Sequence, residues 1–191
     1  MDYPAVTLNE IRACGFTGRA GHPCLYDAIA KICAEREPES YLEIGVFDGA
    51  SLFTAIKYAP LKRIVVCDIF SDDWRTWEGG TKRTWQDTLD GVLETLDYQG
   101  SFTAINESSL TAIPALTEMF DMVTIDGEHN DPYPQKDFEN AHPHLRVGGI
   151  LVFDDSGRKN IQAVTATFHN YKELFTLFDG RDATTVYEKL R

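Results

Sequence analysis

The sequence predicts a doubly wound α/β domain, in which a mostly parallel seven-stranded sheet carries helices on both faces and ends in an antiparallel hairpin. Three observations predict it. Short β-branched runs alternate with helical patterns along the chain. The first strand-like run, Tyr41 to Gly45, breaks into a glycine turn that opens a helix. The last two strand-like runs follow one another with no helix between them.

Leu25, Ile29, Ile32 and Cys33 recur at helical spacing, and Pro38 stops that helix before Tyr41-Leu42-Glu43-Ile44-Gly45. Ala50 to Ala59 reads as a helix and Arg63 to Ile69 as a second strand, with Pro60 between them. That strand is apolar enough to be covered on both faces. A polar, tryptophan-rich stretch follows, including Gly79-Gly80, and residues 71–85 are expected to form a lid or an interface loop. Trp74, Trp77 and Trp85 flank this glycine pair, in the lid, at an oligomer contact or as packing. An amphipathic helix runs through Leu89, Leu93 and Leu96, a third strand covers Phe102 to Ile105, and a helix is expected from Leu110 to Glu118. The fourth strand is Met122 to Ile125. Asp137 to Leu145 reads as a helix, Gly148-Gly149 as a turn and Ile150 to Phe153 as the fifth strand. A final helix precedes Leu174 to Phe178 and Thr184 to Glu188, which read as the closing hairpin.

With 191 residues, 43% of them apolar, the chain is long enough for one substantial core, so residues 1–191 are expected to be a single domain with residues 1–25 as an N-terminal cap. The formal charge of −12 repels a phosphate backbone, which excludes nucleic acid as the expected substrate. Neither a signal-peptide pattern nor an apolar run near the roughly 20 residues of a bilayer span is present, so no membrane partner and a soluble cytoplasmic protein are expected. Cys14, Cys24, Cys33 and Cys67 show no CxxC spacing, and ordinary reduced thiols follow, Cys67 inside a strand. His22, His142, His144 and His169 show no paired metal spacing, so solvated or capping roles are expected.

The chemistry concentrates at strand ends. Leu42-Glu43-Ile44-Gly45-Val46-Phe47-Asp48-Gly49-Ala50-Ser51 passes from strand through a glycine turn into a helix, where ligands of such sheets bind and where a helix N-terminus can hold a carboxylate. Only Gly45 and Gly49 appear, not the full GxGxxG fingerprint, so the spacing suits a ligand without pyrophosphate. Asp68 closes the second strand about 20 residues further on, where an acidic side chain accepts from ribose hydroxyls. Each feature also has a plain structural reading, as a turn glycine or a solvated strand-end aspartate.

Leu42 to Ser51 resembles motif I of the class I S-adenosylmethionine-dependent methyltransferases, and Asp68 resembles their ribose-binding acid. The resemblance spans roughly Tyr26 to Glu188 and implies a Rossmann-like methyltransferase fold. Phe120 to His129, followed by Gly148 to Asp155, is similar to the metal-dependent O-methyltransferases of the catechol and natural-product sugar types. It implies cofactor contacts at Glu43, Gly45, Phe47, Gly49, Ser51, Asp68, Ser108 and Asp126. Ser156 follows Asp155 where the catechol type has asparagine, which turns the match toward the natural-product type.

Asp126 ends the fourth strand and Asp154-Asp155 the fifth, so neighbouring parallel strands roughly 5 Å apart bring three carboxylates to one rim. Carboxylates that close call for a divalent cation held by Asp126, Asp154 and Asp155, with hard oxygen ligands favouring Mg²⁺ or Ca²⁺ and leaving Mn²⁺ open; Mg²⁺ is the expected ion. Such an ion would bind acceptor oxygens and lower the pKa of a hydroxyl. The alternative is that these aspartates only cap the following turns. His129 stands three residues after Asp126, where the catechol type places a lysine base, and is the candidate general base, with Asp126 the other.

The expected activity is methyl transfer from S-adenosylmethionine to a hydroxyl of a small-molecule acceptor, with a neighbouring subunit of a homo-oligomer helping to close the site. A methyltransferase-like metalloenzyme of another reaction, such as hydroxylation, and a non-catalytic cofactor-binding module are the alternatives. A NAD-dependent oxidoreductase ranks last because the pyrophosphate fingerprint is missing.

Overall fold

A computed structural model describes residues 23–70 and 84–191. The expected N-terminal cap up to residue 22, Cys14, His22, Trp74, Trp77 and Gly79-Gly80 lie outside these residues.

The elements alternate as the sequence predicts. Helix α1 (Pro23–Arg36) leads to β1 (Ser40–Ile44), α2 (Ala50–Tyr58), β2 (Arg63–Asp68), α3 (Trp85–Thr95) and β3 (Ser101–Asn106). A single turn α4 (Ser109–Ala112) continues as a 3-10 turn to Ala115, before β4 (Phe120–Ile125) and α5 (Tyr133–Ala141). Then come β5 (Leu145–Phe153), α6 (Lys159–Thr165), β6 (Tyr171–Phe178) and β7 (Ala183–Lys189). The seven strands lie in the order β3-β2-β1-β4-β5-β7-β6. The pairs from β3 through β5 are parallel, and β7 runs antiparallel between β5 and β6, which makes the expected hairpin. This is the Rossmann-like methyltransferase arrangement.

β1, β2, β4 and the last half of β5 are buried on both faces, which explains their near-continuous apolar runs. One apolar layer forms between the sheet and α1, α2 and α3, around Leu25, Ile29, Ile64 and Val66. The other forms on the opposite face, around Val65, Ile113, Val123 and Phe153. Cys24, Cys33 and Cys67 are buried and free, and burial pushes the Cys33 and Cys67 thiols up to about 12.

The structure corrects three element assignments. The helix expected from Leu110 to Glu118 is a single turn, because Pro114 supplies no amide hydrogen to continue it. α5 starts four residues before Asp137, with Pro134 in its first turn where a missing N–H costs nothing. Gly148-Gly149 is no turn but the middle of β5: Gly148 takes φ 79° and the register against β4 shifts between Phe120 and Met122, so the strand bends there without ending. In α3 the buried face is Leu89 and Val92, with Leu96 packed partly against it. Trp85, the first residue of α3, stacks on Phe70 with centroids 4.2 Å apart, so it serves packing.

At the N-terminal ends of the strands, the Asp121 carboxylate accepts from the Glu39 and Ser40 amides and the Ser40 hydroxyl, and pairs with Arg146. Lys189 donates to the carbonyls of His142 and Leu145, locking β7 to the entry of β5. His144 meets the Glu118 carbonyl and His169 is exposed, in line with the capping and solvated roles expected of them, whereas His142 is partly buried between the Phe138 and Tyr171 rings and meets the Tyr171 hydroxyl.

Candidate active site

A cavity of about 570 Å³ opens beyond the C-terminal ends of β1, β2 and β4. β1 lies between β2 and β4, so successive crossovers leave it in opposite directions and their loops part there. The cavity is walled by Gly45–Asp48 after β1, Cys67–Phe70 at β2, Glu107–Ser109 beyond β3 and Asp126–His129 beyond β4.

The turn after β1 is shaped by contact. Gly45 has φ 84°, and a Cβ there would stand 2.0 Å from the Asp126 carbonyl oxygen, so only glycine lets the two loops pass. The Asp126 amide donates to the Ile44 carbonyl and the Asp154 amide to the Ile125 carbonyl, which carries the sheet ladder one residue into the site. Gly49 has φ 80° and caps α2 without a side chain; it sets the turn but does not line the cavity. Phe47, also left-handed at φ 49°, is 40% exposed at the mouth.

Asp68 braces this turn. Its Oδ2 accepts from the amides of Val46 (2.8 Å) and Phe47 (3.0 Å), and Oδ1 accepts from the Phe70 amide. The expected ribose acceptor therefore lines the cavity while also ordering the glycine loop. Ser108 lines the opposite side and caps α4 by accepting from the Leu110 amide. Ser109 donates to the buried Asp137 of α5, whose carboxyl burial pushes up to about 6.

Glu43 lies one layer deeper than expected. It is fully buried and does not line the cavity; instead Ser51, which does, donates a short hydrogen bond to its Oε1. Burial pushes the Glu43 carboxyl up to about 8, with Asp68 and Asp48 adding repulsion against the Ser51 bond. Among the described residues its Oε2 has no hydrogen-bond partner. A glycine cradle that a Cβ would fill and a buried acid behind Ser51 fit a ligand seated over the β1 turn.

Asp126, partly exposed, lines the cavity at the end of β4. Burial, followed by the facing Asp154 carboxylate, holds its carboxyl well above the usual range. Asp154 is 1% exposed and accepts a short bond from the Thr184 hydroxyl of β7. Asp155, equally buried, lies 2.8 Å from Arg158 Nε and 3.2 Å from His129 Nδ1 through Oδ2.

The expected cation site at Asp126, Asp154 and Asp155 is not shown. Among the described residues no three His, Cys, Asp or Glu side chains are placed to hold a metal ion. Asp126 and Asp154 are turned toward each other, Thr184 takes one oxygen of Asp154, and Asp155 is turned to a histidine and an arginine. The strand spacing delivers the three backbones to one rim, but the side chains do not converge on one point.

Two tyrosines were missed. Tyr26 of α1 reaches the cavity, with its hydroxyl near Asp48, Asp126, Asp154 and Glu43; burial, then these charges, push it upward. Tyr133 lines the cavity from the start of α5. Tyr26 follows Leu25 on a helix that reads as core, so only the position of α1 over the strand ends reveals it. Asp131-Pro132 ahead of Tyr133 was the available signal for a built turn.

A strand-end cavity over a glycine cradle, with an acid at the end of β2, defines an enzyme of the class I methyltransferase type. A family model described as a methyltransferase domain matches residues 42–156, and the chain belongs to the class I S-adenosylmethionine-dependent methyltransferases. Solved structures share the fold. The O-methyltransferase TomG from Streptomyces achromogenes, involved in tomaymycin synthesis and in complex with SAM, is 19% identical over 95% of this chain and 86% of its own, with TM-score 0.68. An O-methyltransferase from Bacillus cereus in complex with SAH is 15% identical over 95% and 88%, with TM-score 0.66. The N-methyltransferase NodS from Bradyrhizobium japonicum, with S-adenosyl-L-homocysteine, is 13% identical over 87% and 86%, with TM-score 0.63. No curated protein matches by sequence.

Proposed function

We propose that this methyltransferase acts on a hydroxyl of a small molecule, with S-adenosylmethionine held over the β1 turn. The observation that carries this reading is the cavity shared by the Gly45 cradle, Asp68 and the Asp126–His129 loop. Asp68 and Ser108 would hold the nucleoside, and Ser51 with the α2 N-terminus the amino-acid end. When bound, S-adenosylmethionine supplies an electrophilic methyl group. An acceptor reaching Asp126 and His129 loses its hydroxyl proton to one of these bases as its oxygen gains the methyl, and the sulfonium becomes a neutral thioether. Tyr26 and Tyr133 add aromatic walls that would exclude water and flank the acceptor.

A second reading is methyl transfer to an amine. The described lining carries Asp48, Asp68, Glu107, Asp126 and Glu128 and no lysine or arginine, which suits a cationic acceptor. An amine acceptor would likewise give up a proton to the same bases.

The test is calorimetric titration of S-adenosylmethionine into wild type and Asp68→Ala, with and without Mg²⁺ after chelation, followed by a screen of hydroxyl and amine acceptors for release of S-adenosylhomocysteine. Binding lost in Asp68→Ala and turnover on a hydroxyl compound support the first reading. Turnover on amines alone replaces it with the second, and no binding overturns both.

A further inference from the structure

Behind the cavity wall beyond β3 stands a buried acid. Asp137 of α5 is 1% exposed, and its Oδ1 accepts the hydroxyl hydrogen of Ser109 at 2.5 Å. Its other oxygen abuts the loop after β4, since a Cβ on Gly127 would stand 3.0 Å from Oδ2. Burial raises this carboxyl only to about 6, so at neutral pH it is ionised and Ser109 is the donor of the pair. Ser108 has the opposite commitment. Its Oγ accepts from the Leu110 amide at 3.3 Å, which leaves its own hydrogen to donate. Both serines line the cavity. A hydroxyl has one hydrogen and two lone pairs, so toward a ligand Ser109 can only accept, whereas Ser108 can donate.

Strand order says which part of the cofactor meets them. With the amino-acid end over the β1 turn and the ribose at Asp68 on the end of β2, the next strand outward is β3. The base therefore runs past Ile69 to the Glu107–Ser109 loop, which Cys67 ties to β2 by donating to the Glu107 carbonyl at 3.4 Å. Ile69 lines the cavity and is exposed despite being apolar, an aliphatic face that a planar base would cover. Adenine offers an amino donor beside a ring-nitrogen acceptor, and hypoxanthine, with an oxo group and a ring N–H, reverses both. We propose that Ser109, oriented by Asp137, selects adenine over its oxo counterpart: the serine lone pairs accept from the exocyclic amine and repel an oxo group, while Ser108 donates to the ring nitrogen. This rests on the methyl-transfer reading and deepens it by assigning the specificity of the nucleoside end. Asp137 does not line the cavity and is a positioning residue, acting through Ser109. A bond that only held α4 against α5 would treat the two bases alike.

Calorimetric titration of S-adenosylhomocysteine and of S-inosylhomocysteine, its oxo counterpart, measures the selection with no methyl acceptor present. Wild type should bind the inosine compound about a hundredfold more weakly. Ser109→Ala should bring the two affinities within about tenfold of each other, and so should Asp137→Asn, whose amide can donate to Ser109 and release the serine hydrogen. Damage to the fold weakens both compounds together and leaves their ratio unchanged, so the ratio is the readout. Equal binding of the two compounds by wild type, or the wild-type ratio kept in Ser109→Ala, overturns the proposal. The ratio kept in Asp137→Asn removes Asp137 from it, and wild type with Ser109→Ala decides the selection even where Asp137→Asn does not fold. Unselective binding by wild type removes this inference alone, whereas binding of neither compound removes the methyl-transfer reading beneath it.

Discussion

Gly45→Ala isolates the contact on which the site is built. The added Cβ would lie 2.0 Å from the Asp126 carbonyl oxygen, 2.4 Å from its carbon and 2.7 Å from Gly127 Cα, all backbone. Ordinary contact requires about 3.5 Å, so one loop must retreat by about 1.5 Å. A left-handed alanine adds roughly 1–2 kcal/mol. With the strain of moving backbone that the β1–β4 ladder holds, the loss should be about 3 kcal/mol, or roughly 6–12 °C in Tm for a chain of this size. The retreat carries Asp126 with it, and a displacement of about 1 Å at reacting groups costs on the order of a hundredfold in rate. Gly148→Ala is the control: Gly148 also has positive φ, but nothing lies within 4 Å of its Cβ position. It should lose only the roughly 1–2 kcal/mol of the backbone term and bind S-adenosylmethionine as wild type does. Differential scanning calorimetry and ligand titration of both variants measure the two parts. Equal destabilisation by the two alanines, or undiminished ligand affinity in Gly45→Ala, would refute the claim that the loops are held in contact by the missing side chain.

The remaining predictions concern charge and packing. Because the folded Glu43 carboxyl is raised from its ordinary value to about 8, the folded state holds a proton that the unfolded chain has lost above its own pKa. Stability therefore falls as pH rises from about 4.5 to 8, by up to ~1.4 kcal/mol per pH unit from this group, and levels off above; denaturant melts of Glu43→Gln should show a shallower slope over that window. Asp121→Ala removes the acceptor of two backbone amides and a hydroxyl at the far ends of the strands, and chemical denaturation should show a loss of about 2–3 kcal/mol with unchanged S-adenosylmethionine affinity. Asp68→Ala unties the Val46 and Phe47 amides as well as removing the ribose acceptor, so titration should show binding weakened at least about a hundredfold. Ser51→Ala leaves the buried Glu43 without its donor, and thermal melts near neutral pH should show about 1–3 kcal/mol less stability.

Local periodicity and turn chemistry determined most of the fold by themselves: the alternation of elements, the buried β2 around Cys67, the closing hairpin and the glycine turn at Gly45 are all short-range statements about backbone preference and burial. The same reasoning failed where the deciding interaction was with another element. A glycine pair in isolation reads as a turn, but β4, which pairs with Leu145 before it and with Ile150 after it, keeps Gly148-Gly149 within β5. Strand order puts Asp126, Asp154 and Asp155 on one rim, and parallel spacing makes that legible. Asp154 and Asp155 meet Thr184 of β7 and His129 after β4, residues distant in sequence whose approach depends on how the closing hairpin and the β4 loop pack, while Arg158, three residues on, is a local partner of Asp155. Side-chain direction is decided by hydrogen bonds and ion pairs that exist only once the sheet has closed, so the sequence determined which groups meet at the strand ends, and the tertiary structure decided which of them face one another.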